Sequence, residues 1–329
     1  MRYRRRPNKQ RMFGEISWVF AWLLVVVAGG TPADVASAAD ITIGIPNWPS
    51  VNVTAHIIQL IIEENFGLSV ELQSATNPVI FEAMAKGSVD VHPEVWLPNQ
   101  QNLFDRYADA LVRNAHPATG VQGMCVNGAA QRAGIRDISD LTDPAKAALL
   151  DSHGDGRGEI FIGAPGWSST VIERIKAIEY GYDQVLELKQ MDEGLADSQL
   201  TIAERRGLPW VGFCYAPHHR FVIHPDLKLL TEPPYEAMRW KLVQPNEDPD
   251  WVEKSYVAMA LPTQSIQPVY AKTLLRAHPL VAGLMRNMDI SRDDISGFSY
   301  QVVVNKKDPV EFARTWVAGH AQRVADWLR

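Results

Sequence analysis

Four aromatic side chains stand where the chain turns out of a strand. Trp48 (IPNWPS), Trp96 (HPEVWLPN) and Trp167 (GAPGWSS) each follow a strand-like run or sit in a glycine/proline turn, and Tyr215 (FCYAPHH) ends a strand in the same manner. In open α/β sheets, ligands bind beyond the carboxyl ends of the strands. Four rings at equivalent topological places can therefore line one pocket. Taken singly, each ring is explained by packing on its own sheet, because tryptophan brings a large apolar area that is mostly buried. Taken together, they suit a quaternary ammonium cation. Its methyl groups donate no strong hydrogen bonds, whereas ring faces carry negative quadrupole charge worth about 0.5–2 kcal/mol per ring.

Beside Trp167, the run Gly166-Trp167-Ser168-Ser169-Thr170 leads straight into helical periodicity. The amides of a helix's first turn lack intrahelical partners and attract anions. One turn thus offers a ring for a cation and the Ser168 and Ser169 amides for a carboxylate, as a betaine zwitterion requires. An ordinary serine cap has the same sequence signature. His218 is a further polar candidate, as a donor to a ligand carboxylate. His218 and His219, adjacent on a turn, cannot both face one metal. The stretch from Asp151 to Gly156 reads as a Gly/Asp turn rather than a calcium loop, because its spacing fails afterwards. The residues call for no metal and no cofactor. No nucleophile elbow, phosphate loop, zinc-protease or dinucleotide motif occurs.

The elements that must position these residues alternate strand and helix. Strands are expected at 41–45, 68–73, 89–91, 122–127, 161–163 and 210–215. Helices are expected over 54–65, 77–86, 168–180 and 195–206, with further helices at 271–277, 279–288 and 309–328. Such alternation implies βαβ units and a mainly parallel α/β architecture with two sheets, one completed by the carboxy-terminal third.

The chain's 329 residues allow about two domains. Six bases and two acids fall in residues 1–38, so a body of net charge −10 underlies the overall −6. An acidic body argues against nucleic acid as a partner. The basic start, the apolar run from Ile16 to Ala28 and the small residues Ala36-Ser37-Ala38 read as a secretory signal peptide cleaved near Ala38. That apolar run falls short of the ~20 residues a membrane-spanning helix needs. The mature chain is expected in an exported, oxidising compartment, with Cys125 and Cys214 as buried free thiols.

Val126-Asn-Gly-Ala-Ala-Gln131, Leu141-Thr-Asp-Pro144, Asp151-Ser-His-Gly-Asp-Gly156 and Ala164-Pro-Gly-Trp167 together carry a resemblance. With Val95-Trp96-Leu97-Pro98 and Tyr215-Ala216-Pro217, this order resembles the glycine betaine/proline betaine-binding proteins of ABC importers, over most of residues 40–225. The resemblance implies a two-lobed, type II-like periplasmic binding protein fold closing over its ligand. It implies an aromatic box of Trp96, Trp167 and Tyr215, with the ligand carboxylate on the Ser168 and Ser169 amides. Tyr215 stands where tryptophan is usual, and Gln100 stands where a histidine can assist the carboxylate. Trp48 matches an additional wall of relatives that prefer choline-like ligands. Glu94, two residues before Trp96, either faces the ligand and favours a net cation or is a solvated loop carboxylate.

The expected organisation is a leader over 1–38, a first lobe from 39–122 and 222–329, and a second lobe from 123–221. The expected function is that of a periplasmic, monomeric, non-enzymatic solute-binding protein. It would deliver a quaternary ammonium ligand to an inner-membrane ABC permease with its ATPase. Two alternatives are a binding module feeding a sensor, and an exported enzyme using His218 and Glu94 as acid and base.

Overall fold

Ile41, Ile43 and Ile45 are all buried along β1 (Ile41–Ile45), the start of the computed structural model's described residues, 39–245 and 247–329. The leader expected over 1–38 lies outside those residues. The remaining strands are β2 (Val70–Ser74), β3 (Val91–Leu97), β4 (Leu111–Arg113), β5 (Ala118–Val126), β6 (Gly158–Gly163), β7 (Leu186–Gln190), β8 (Val211–Ala216), β9 (Lys228–Leu229) and β10 (Gln264–Ala271). Their order in space is β2-β1-β3-β10-β5-β8-β6-β7, with β4 on β10 and β9 on β5.

The sheet is mixed rather than mainly parallel. β1 runs parallel to β2 and β3, and β6 runs parallel to β7 and β8. Between these two parallel halves, β10 and β5 pair antiparallel with each other and with their neighbours. Ala118, Thr119 and Gly120 of β5 pair with β10, while Val121 to Val126 pair with β8, so one strand is shared by both halves. Cys125 and Cys214 are buried free thiols on β5 and β8.

β4, β7, β9 and β10 lie outside the expected strands, and β3 runs beyond its expected end; β3 and β10 are the two buried on both faces. All seven residues of β3 are buried, including His92 and Glu94, whose polarity breaks the apolar run at 91 although each is hydrogen bonded inside. β10 occupies residues expected to lead into a helix. Pro268 sits in it at a register shift between Gln267 and Val269, where a missing N–H is tolerated.

Helix ends follow the local chemistry. The Pro49–Phe66 helix has proline in its first turn and ends at Gly67, with φ of 66°. Its buried face, Val51 to Ile62, packs on the Arg292–Val303 and Pro309–Gly319 helices. The expected helix over 309–328 breaks at His320, whose Nδ1 meets the Trp316 carbonyl at 2.7 Å, and resumes as Ala321–Trp327. The Arg292–Val303 helix, unforeseen, starts at a reciprocal cap between Ser291 and Asp294.

Residues 228–262, expected with the first half, lie against the second. β9 pairs with β5, and the Ile138 amide donates to the Thr231 carbonyl at 2.9 Å. Val257, Trp240 and Trp251 pack on Ile172 and Ile175 of the Ser168–Tyr180 helix. Glu247 reaches back to Arg106, and at β10 the chain rejoins the sheet of the first half.

Candidate functional site

Strand β3 delivers Trp96, β8 delivers Tyr215, and the turn after β6 delivers Trp167 as the residue capping the Ser168–Tyr180 helix. The three rings meet. Trp96 lies 5.4 Å from Tyr215 between ring centroids at 82°, and Trp167 lies 5.7 Å from Tyr215 at 83°. Perpendicular rings of this kind form walls and corners rather than a stack. Two glycines permit the arrangement. Gly120 on β5 leaves room for Trp96, because a Cβ there would stand 2.7 Å from the indole Cζ3. Gly166 has φ of 83°, a left-handed conformation that lets the chain turn sharply before Trp167.

The rings border a single cavity. Trp48, Trp96, Gln100, Trp167, Ser168, Ser169 and Tyr215 all line it, as do Asn77, Asn99, Gln122 and Phe213, which the sequence reading missed. Phe213 carried a signal: it lies two residues before Tyr215 on a strand, hence on the same face. In the sequence Asn77 signals only a helix start, and Asn99 carries no signal.

At the amino end of the Ser168–Tyr180 helix, Trp167 supplies no side-chain cap. Among the described residues, neither the Ser168 nor the Ser169 amide is hydrogen bonded to a protein acceptor. Thr170 turns its hydroxyl to the Ala164 carbonyl at 2.7 Å instead. The cavity therefore pairs apolar ring faces with free helix amides, a cation surface beside an anion surface.

Glu94 and His218 stand outside this lining, behind it. The Glu94 side chain accepts from Trp48 Nε1 at 2.8 Å, Ser50 Oγ at 2.8 Å and Thr54 Oγ1 at 2.6 Å. It is 2% exposed, so it is no solvated loop carboxylate, and it does not line the cavity as a ligand-facing acid would. Burial raises its pKa, against the Thr54, Trp48 and Ser50 hydrogen bonds. Its neighbour His92, pushed down to about 3 by burial, is neutral; its Nε2 meets Asn77 Oδ1 at 3.1 Å while Nδ1 accepts the Glu94 amide at 3.3 Å.

His218 packs behind Tyr215, with ring centroids 4.4 Å apart, and its Nε2 lies 3.2 Å from Glu193 Oε1. Burial pushes it down to about 4, leaving it neutral at pH 7. Glu193 also accepts from the Tyr215 hydroxyl at 3.1 Å and lies 3.4 Å from the Arg220 guanidinium. Burial works against its charge, but His218 and Arg220 hold the carboxyl below its ordinary range. Arg220 in turn pairs with Asp197 and donates to the Phe213 carbonyl at 2.9 Å.

Residues 39–319 match the substrate binding domain of ABC-type glycine betaine transport systems, and the chain belongs to that family. Membership makes it the substrate-binding component of an importer rather than an enzyme. The glycine betaine-binding periplasmic protein OusX of Dickeya dadantii (strain 3937) is 21% identical over 282 residues, 80% of this chain and 82% of that protein. Lactococcal OpuAC, closed on glycine betaine, superposes with a TM-score of 0.68 at 20% identity, over 88% of this chain and 99% of its own. An ABC-transporter choline binding protein in complex with choline gives 0.68 at 19% identity, over 88% and 91%. These likenesses establish the mixed α/β periplasmic binding protein fold.

Proposed function

We propose that this chain captures a quaternary ammonium compound between Trp48, Trp96, Trp167 and Tyr215 and hands it to an inner-membrane ABC permease with its ATPase. The methylated nitrogen sits against the ring faces, and a ligand carboxylate or hydroxyl meets Gln100 and the Ser168 and Ser169 amides. The observation carrying this reading is the convergence of Trp96, Trp167 and Tyr215 on one cavity beside a free helix amino end. Solved relatives holding glycine betaine and choline support it.

The two lobes are the sheet halves joined by β5 and β10. Trp48 and Trp96 belong to the first, Trp167 and Tyr215 to the second. A ligand touching both stabilises their closed arrangement by its greater affinity for it. We place the mature protein in the periplasm as a monomer, after cleavage near Ala38. OusX, a periplasmic protein, supports the compartment.

A thermal-shift screen against glycine betaine, choline, carnitine and proline betaine tests the reading. At least one is expected to raise the melting temperature in a concentration-dependent manner. No shift with any of them, together with no heat of binding, overturns it.

A further inference from the structure

Two walls of the cavity share a construction that ring-face binding alone does not require. The polar edge of each points away from the cavity onto a buried carboxylate. Trp48 donates its indole N–H to Glu94 and Tyr215 donates its phenol O–H to Glu193, at 2.8 and 3.1 Å. Glu94 and Glu193 are 2% and 4% exposed, and neither lines the cavity.

Their charge is incompletely matched inside the protein. Among the described residues, Glu94 forms no ion pair; its three side-chain donors are an indole and two hydroxyls. Glu193 is better served, with His218 Nε2 3.2 Å away and Arg220 at 3.4 Å, but it shares that guanidinium with Asp197. A buried carboxylate without a full counter-charge is costly. A cation against the face of either ring would supply it from beyond the ring's edge, in a medium where charges are weakly screened. The same hydrogen bonds draw positive character to the ring edges and leave the faces richer in electrons, which strengthens attraction for a cation.

We propose that Glu94 and Glu193 are positioning residues that fix the Trp48 and Tyr215 walls from behind and select for a ligand of net positive charge. This deepens, and rests on, the reading that a quaternary ammonium group occupies the cavity. It favours a choline-type cation over an uncharged molecule of the same shape.

The test compares two probes, choline and its uncharged isostere in which carbon replaces the nitrogen, by calorimetric titration of the full mature chain. The unaltered protein is expected to prefer choline. Glu94→Gln and Glu193→Gln keep size and one acceptor oxygen while removing the charge and turning the other oxygen into a donor; each is expected to weaken choline by about tenfold and to weaken the isostere clearly less. Tyr215→Phe removes only the phenol oxygen and carries the same test should a glutamine variant fail to fold. It is expected to reduce choline affinity several-fold, and by more than it reduces the isostere's.

Equal losses on both probes would show that the carboxylates only hold the rings in place, and would overturn the charge selection. Unchanged choline affinity in all three variants would overturn the proposal entirely. Failure of the unaltered chain to bind any quaternary ligand would be the separate failure of the functional reading, and this proposal would fall with it.

Discussion

Trp167 donates its indole N–H to Asn47 Oδ1 at 2.9 Å, joining the turn after β1 to the amino end of the Ser168–Tyr180 helix. Asn47 is exposed, yet it reaches across from the first sheet half to a ring belonging to the second. The bond ties the orientation of one cavity wall to the approach of the two halves.

Asn47→Ala removes that tie without touching the cavity lining. A hydrogen bond to an exposed acceptor contributes about 0.5–1.5 kcal/mol, so ligand affinity is expected to fall roughly threefold to tenfold. Thermal unfolding without ligand should barely change. Calorimetry on the variant checks this; undiminished affinity would mean that Trp167 is held by its packing alone.

Gly120→Ala addresses the opposite side of the cavity. The added Cβ would stand 2.7 Å from Trp96 Cζ3, 2.9 Å from Ile266 Cδ1 and 3.0 Å from the Ala216 carbonyl. The last of these is backbone and cannot step aside. Overpacking of this kind costs about 1–3 kcal/mol. Urea unfolding should show that loss, accompanied by weaker ligand binding as Trp96 is displaced. A variant of full stability and affinity would contradict the close approach.

Glu173, on the helix whose amino end borders the cavity, gives a pH dependence. Burial, relieved by Lys176 and reinforced by Glu232, pushes its carboxyl from 4.5 up to about 7. In that interval the native protein keeps a proton that the unfolded chain has released, so this group's contribution to stability declines as pH rises from 4.5 to 7. His92 and His218, held at about 3 and about 4 by burial, tilt stability the other way below 6.5. The informative quantity is therefore a difference. The stability of Glu173→Gln minus that of the unaltered protein should grow between pH 5 and 7 and then level off, as read from urea midpoints. A constant difference would contradict the raised value.

Much of the site was legible because it is local. The Pro-Gly-Trp-Ser-Ser turn announces a ring and free amides at a helix start, and the tryptophans flank turns. The αβ alternation was legible where an apolar run is unbroken, as in β1 and β8, both buried almost throughout. The full extent of β3 and the existence of β10 were not, since His92, Glu94 and Pro268 interrupt their apolar runs. The roles of Glu94 and His218 were misread for a different reason. Each lies two or three residues from an aromatic wall along the chain, but the chain does not say whether such a neighbour points into the cavity or behind it. The place of residues 228–262 depends on Val257 and Trp251 meeting Ile172 and Ile175, a contact between distant segments that no local pattern encodes.

The most direct test of the central claim is the affinity of Trp167→Ala for its quaternary ammonium ligand, measured by calorimetry beside the unaltered chain. Loss of one ring wall at the cation is expected to weaken binding by about tenfold or more, ~1.4 kcal/mol, with the fold retained. Affinity equal to that of the unaltered chain would contradict it.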